Sequence, residues 1–122
     1  MAQRPDEAVL AAVLTALAGV RSGDPVAGIG TGPRTDAALL AMSGTAALVA
    51  TGAQVAVAGA AHDVPTAVAA LRPGGRLVAL AADPGAARRV AAARGLELRH
   101  VEPVGAVVAW SAVLPAQAGA AP

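Results

Sequence analysis

The stretch Val26-Ala27-Gly28-Ile29-Gly30-Thr31-Gly32-Pro33 limits what this chain can fold into more than any other. A short apolar run enters a glycine-rich corner, and a helix-like stretch from Thr35 to Met42 leaves it. A parallel strand hands its chain to a helix in this way. Glycine allows positive φ and lets another backbone or a ligand approach closely. The helix that follows aims its unpaired N–H groups and its positive dipole end at whatever lies there. Gly28, Gly30, Thr31 and Gly32 are therefore candidates for ligand binding. A tight strand-to-helix corner with no ligand asks for the same residues, so both readings stand at this point.

The rest of the chain alternates strand-like and helix-like stretches. Asp6 and Glu7 open a helix over 8–18 that is rich in Ala and Leu and stopped by Gly19. Val9, Leu10, Val13, Leu14 and Leu17 share one broad face at helical spacing. The stretch 45–52 reads equally as a further helical turn or a short strand. Gln54 to Ala58 alternates as a strand does, and Gly59 to Asp63 is the loop at its carboxyl end. Asp63, with Pro65 behind it, caps a short helix to Leu71. Arg72-Pro73-Gly74-Gly75 is a sharp turn before a buried strand over 76–81. Asp83-Pro84 begins a helix that ends near Gly95, and strands over 96–101 and 106–113 form an antiparallel hairpin. The expected architecture is α/β: a small three-layer sheet of the Rossmann-like kind, mostly parallel, with a C-terminal antiparallel hairpin. Residues 1–114 read as one domain and 115–122 as a disordered tail.

Composition narrows the function. Alanine and valine dominate the apolar residues, and Trp110 is the only aromatic. Small side chains bury little area each, at roughly 25 cal/mol per Å². A homodimer is the expected remedy. All nine basic residues are Arg, scattered along the chain, and the net charge is +1. With no basic face and no interleaved aromatics, nucleic-acid binding is not expected. The absence of cysteine excludes disulfides and thiolate chemistry, and no Cys/His cluster suggests a metal. The apolar run 8–20 is too short to cross a bilayer and is preceded by acids, so the expectation is a cytoplasmic protein without a membrane partner.

Four stretches together resemble the class I S-adenosylmethionine-dependent methyltransferases. Residues 17–32 resemble the lead-in and first motif of that family. Residues 55–65 resemble its fourth strand and following loop. Residues 68–80, with Arg72-Pro73-Gly74-Gly75, are similar to the helix, turn and fifth strand. Residues 91–115 resemble the last helix and terminal hairpin. An Arg-Pro-Gly-Gly turn also occurs in medium-chain dehydrogenases; the terminal hairpin favours the methyltransferase side. The resemblance implies S-adenosylmethionine as cofactor, held by Gly28, Gly30, Thr31, Gly32 and Gly59.

Two departures accompany the likeness. The family places an acid where Gly28 stands, and another at the end of its second strand to hold the ribose hydroxyls. Between Asp36 and Asp63 this chain has no acid, and only 44 positions separate Gly30 from Gly74. That is room for one intervening strand and two crossovers, or for one more strand if it is very short, where the family has three. These departures count against methyl transfer.

Two functions follow. In the first, the cofactor binds at Gly28 to Gly32 and His62 acts as general base on a hydroxyl or amine with Asp63 orienting it, because the carboxyl end of a sheet strand is where α/β ligands sit. The plain alternatives are a solvated loop histidine and a helix cap. In the second, the chain is a non-catalytic Rossmann-like subunit that acts through homodimerisation or a protein partner. The truncated sheet would leave its first strand near an edge, and exposed edges are usually covered.

Overall fold

A computed structural model describes residues 6–116. Of the expected disordered tail over 115–122, residues 117–122 lie outside those described. The elements in order are α1 (Glu7–Ala18), β1 (Val26–Ile29), α2 (Gly32–Ser43), β2 (Ala53–Ala58), a single 3-10 turn (Ala61–Asp63), α3 (Val64–Ala70), β3 (Leu71–Ala81), α4 (Pro84–Ala93), β4 (Glu97–Val104) and β5 (Val107–Val113).

The five strands form one sheet in the order β1-β2-β3-β5-β4. β1, β2 and β3 are parallel, with Val26 opposite Val55 and Val57 opposite Val78. β5 runs antiparallel to both β3 and β4. Among the described residues no strand lies beyond β1, so the strand that leads into the glycine corner is an edge of the sheet.

Alternation along each strand divides the core in two. Val26, Val55, Val57, Val78 and Leu80 meet Leu10, Leu14 and Ala18 of α1 and Leu39 of α2 on one face. Ala56, Ala58, Leu77 and Ala79 meet Ala67 and Ala70 of α3 and Ala87 and Ala91 of α4 on the other. Ten of the sixteen buried residues on the second face are alanine, which lets the helices approach closely. Trp110 of β5 is the largest side chain there and is fully buried. Its indole Nε1 is buried with no hydrogen-bond partner among the described residues.

Several expectations are corrected. Arg72-Pro73-Gly74-Gly75 is a bulge inside β3, not a turn before it. Leu71 already pairs with Ala53, and Arg76 pairs with Val55, so β3 spends five residues where β2 spends two. Gly74 takes φ +83 there and its N–H donates to the Leu114 carbonyl at 2.8 Å. The hairpin loop is Gly105-Ala106 and not 102–105. Pro103 fits within β4 because β4 is an edge strand, where a missing N–H breaks no ladder. Residues 45–52 are neither helix nor strand. They run beside the open edge of β1, where the Val49 N–H donates to the Val26 carbonyl at 2.8 Å. The chain thus blunts its own edge.

Candidate functional site at the carboxyl ends of β1 and β2

The corner after β1 is tighter than its glycine content alone suggests. α2 already begins at Gly32, with Pro33 in its first turn, so only Gly30 and Thr31 lie between strand and helix. Gly30 has φ +67 and Gly32 has φ +83, the left-handed region that glycine tolerates best. No side chain caps α2 at Thr31. The Thr31 hydroxyl donates instead to the Asp36 carboxylate one turn on.

The space that the corner glycines leave is largely taken by the chain itself. A Cβ on Gly28 would stand 2.6 Å from Asp36 Oδ1 and 2.8 Å from Thr31 Oγ1. A Cβ on Gly30 would run into the Asp63 carboxylate. A Cβ on Gly59 would collide with the Gly30 carbonyl, because the end of β2 lies directly on the corner. The Gly59 N–H donates to the Ile29 carbonyl at 2.9 Å. Internal packing thus occupies the space beside all three glycines, and only at Gly59 is the obstacle backbone.

Beyond them lies an open hollow of about 240 Å³. Gly30, Thr31 and Gly59 line it, together with Leu80 at the end of β3. Glu7, Leu10 and Leu14 of α1 line it as well. A second hollow of about 240 Å³ continues past Gly59 and Leu80, over Ala60 and Val107. The structure therefore brings Gly30, Thr31 and Gly59 together in one wall. Gly28 lies beneath, covered by Asp36 and Thr31, and Gly32 lies near Glu7, whose Oε1 is 3.6 Å from where a Gly32 Cβ would stand.

His62 and Asp63 sit on the 3-10 turn beside the corner, outside the lining of both hollows. His62 Nε2 is 3.5 Å from Asp63 Oδ1; the His62 side chain is 85% exposed and that of Asp63 16%. Asp63 does not cap α3, as its sequence context predicts. Its backbone is already helical at φ −85 and ψ −13, and its carboxylate is turned to Gly30 instead. Asp83 does cap its helix, accepting from the Ala86 N–H at 2.8 Å. His100 is a surface residue of β4, 3.0 Å from Glu102.

Sequence reasoning missed the contribution of α1. Glu7 carries the signal of a first-turn helix acid, and Leu10 and Leu14 carry that of a core stripe. Both signals are correct, and both residue types also reach the hollow.

The donor set has a definite preference. Glu7, Asp36 and Asp63 place carboxylates around the corner. Two like charges about 4 Å apart repel by about 4 kcal/mol at an effective dielectric of about 20. A phosphate lying on Gly30 would meet Asp63, so the dinucleotide use of such a corner does not fit. A ligand with a positive end fits the wall better. Among the described residues no three acidic or imidazole side chains converge closely enough to hold a metal ion. No helix there is long and apolar enough to cross a membrane.

Comparison with known proteins places the fold. No family model and no curated protein matches the sequence. Solved structures do match the fold. An S-adenosylmethionine-dependent O-methyltransferase from Thermotoga maritima superposes over 93% of this chain and 67% of its own, with TM-score 0.63 and 9% identity. The precorrin-6y C5,15-methyltransferase of Geobacter metallireducens matches over 88% of both chains, with TM-score 0.62 and 9% identity. A Haloferax volcanii complex of the Trm112 activator with a putative methyltransferase gives TM-score 0.59 at 11% identity, over 93% of this chain and 99% of that one. With its parallel β1–β3, antiparallel C-terminal pair and helices on both faces, the chain has the fold of the class I S-adenosylmethionine-dependent methyltransferases.

Proposed function

We propose that this chain is a compact methyltransferase-like protein that binds S-adenosylmethionine in the hollow between the Gly30–Thr31 corner and α1. The observation that carries this reading is the wall itself. Gly30, Thr31, Gly59 and Glu7 line one hollow of about 240 Å³ at the carboxyl ends of parallel strands, which is where α/β folds bind ligands. The ammonium and sulfonium charges of the cofactor suit a wall bordered by carboxylates, and its own carboxylate would have to turn away from Glu7 and Asp63. Bound there, S-adenosylmethionine would supply an electrophilic methyl group. His62 is the proposed base for the acceptor's proton, and Asp63 its positioning partner, supported by their 3.5 Å separation and by the exposure of His62 to an incoming acceptor.

The test is calorimetric titration of the full chain with S-adenosylmethionine and S-adenosylhomocysteine. Saturable heat with one site per chain is expected. No heat and no thermal shift at millimolar ligand would remove the reading.

A second reading has its own support. Val9 and Met42, the exposed large apolar side chains among the described residues, both lie in the α1–α2 layer, at 45% and 40% exposure. That layer flanks β1, the strand left at the sheet edge. A non-catalytic subunit that buries this layer in a homodimer is the alternative. The Haloferax methyltransferase is itself seen with an activator protein. Light scattering after size exclusion separates the two: a dimer at micromolar concentration supports the second reading, and a stable monomer excludes the homodimer.

A further inference from the structure

We infer that a second site lies at the amino ends of the parallel strands, at the other end of the sheet from the glycine corner, and that it takes a phosphate group. Arg21, Asp24, Gln54, Val55 and Arg76, with Gly19 at the end of α1, line a hollow of about 300 Å³ there. This site stands or falls independently of the function proposed above.

Arginines scattered along the sequence are gathered here by the fold. Val26, Val55 and Arg76 stand in register on β1, β2 and β3, and Arg21 lies on the loop from α1 to β1. The partly buried Arg76 spends one N–H on the Ala18 carbonyl at 2.6 Å, and no other protein acceptor is bonded to it among the described residues. That bond fixes its guanidinium beside Gly19, where a Cβ would stand 2.7 Å from Nη1. Gln54 Oε1 accepts from Arg72 Nε at 2.7 Å. This contact brings a third guanidinium alongside and leaves the Gln54 amide N–H groups as donors. Among the described residues no carboxylate lies within 4.0 Å of the Arg21, Arg72 or Arg76 head groups. A partly buried cation without a counter-ion is costly, and the guanidinium fork matches an oxyanion. A single guanidinium satisfies both oxygens of a planar carboxylate. Donors arriving from β3, from β2 and from the α1–β1 loop suit the several oxygens of a tetrahedral phosphate instead. Asp24 is the one acid in the lining and opposes an anion. Its Oδ2 accepts from the Arg21 backbone N–H at 2.9 Å, which ties down the loop. Two guanidinium cations still outweigh it.

The experiment titrates the ¹⁵N-labelled full chain with inorganic phosphate, with glycerol phosphate and with acetate, at an ionic strength held constant by chloride. Saturable amide shifts at Gly19, Arg21, Gln54 and Arg76 are expected at millimolar phosphate, with acetate at least about threefold weaker. Arg21→Gln alters an exposed side chain and should weaken phosphate at least about threefold, with the unfolding midpoint unchanged. Asp24→Asn keeps an acceptor for the loop, removes the opposing charge and should tighten phosphate by a similar factor. Tighter binding of glycerol phosphate than of inorganic phosphate assigns the site to phosphate monoesters, and the reverse order assigns it to the free ion. The proposal is overturned by the absence of saturable shifts at these residues, by acetate binding as tightly as phosphate, or by either variant binding phosphate as the unaltered chain does.

Discussion

Each corner glycine answers to a different neighbour, and the neighbours rank the cost of replacing them. Gly59→Ala drives a Cβ into the Gly30 carbonyl, which is backbone and cannot swing aside. A loss of about 1–3 kcal/mol, at the upper end of that range, is expected. Gly30→Ala meets a movable carboxylate but forces φ +67 on an L-residue, at roughly 1–2 kcal/mol. Gly28→Ala meets the side-chain ends of Asp36, Thr31 and Leu48, which can give way, and is the mildest. Urea unfolding followed by the fluorescence of Trp110, the only aromatic, measures all three. Gly28→Ala combined with Asp36→Ala should cost less than the sum of the single changes, since the second vacates the space the first requires. Glu7→Gln should weaken S-adenosylmethionine binding three- to tenfold, roughly the worth of one charged contact, with the unfolding midpoint unchanged. The corner was legible in the sequence because glycine spacing is a local signal. What fills it was not, because Asp36, Asp63 and Glu7 reach it from three separate elements.

Among the elements, boundaries moved where tertiary pairing overrode a local breaker. Pro-Gly-Gly reads as a turn at 73–75, yet flanking pairs from Leu71 to Ala53 and from Leu114 to Gly75 absorb it as a bulge. Pro103 reads as the end of a strand, yet an edge position makes its missing N–H harmless. The long apolar and charged patterns of α1, β3 and α4 were plain from periodicity and caps. The link between α1 and β3 was not: the Arg76 guanidinium donates to the Ala18 carbonyl at 2.6 Å, 58 residues away. A cation there complements the negative end of α1. Arg76→Met keeps the aliphatic stem and removes that donor, at an expected cost of about 1–2 kcal/mol. Hydrogen exchange should show the last turn of α1 opening faster. Asp83→Ala should cost about 0.5–2 kcal/mol through the lost cap on α4.

For the molecule as a whole, the sheet order explains the composition. An alanine-lined face lets α3 and α4 lie close on the strands, and one buried Trp110 fills what small side chains leave. Trp110→Ala should therefore be among the most damaging single changes, at about 3–5 kcal/mol, as read by denaturant unfolding. The count of 44 positions from Gly30 to Gly74 allowed one intervening strand, and the structure has one, β2. Sheet order and the packing of α1 across the corner depend on contacts distant in sequence, which is why the wall opposite Gly30 was not legible beforehand. The site's position is tested most directly by amide chemical shifts of the ¹⁵N-labelled chain during titration with S-adenosylmethionine. The shifts should concentrate at Glu7, Gly30, Thr31, Gly59 and Leu80. Shifts clustered at the opposite end of the sheet, around Arg21, Gln54 and Arg76, or none at saturating ligand, would contradict a ligand site at the carboxyl ends of β1 and β2.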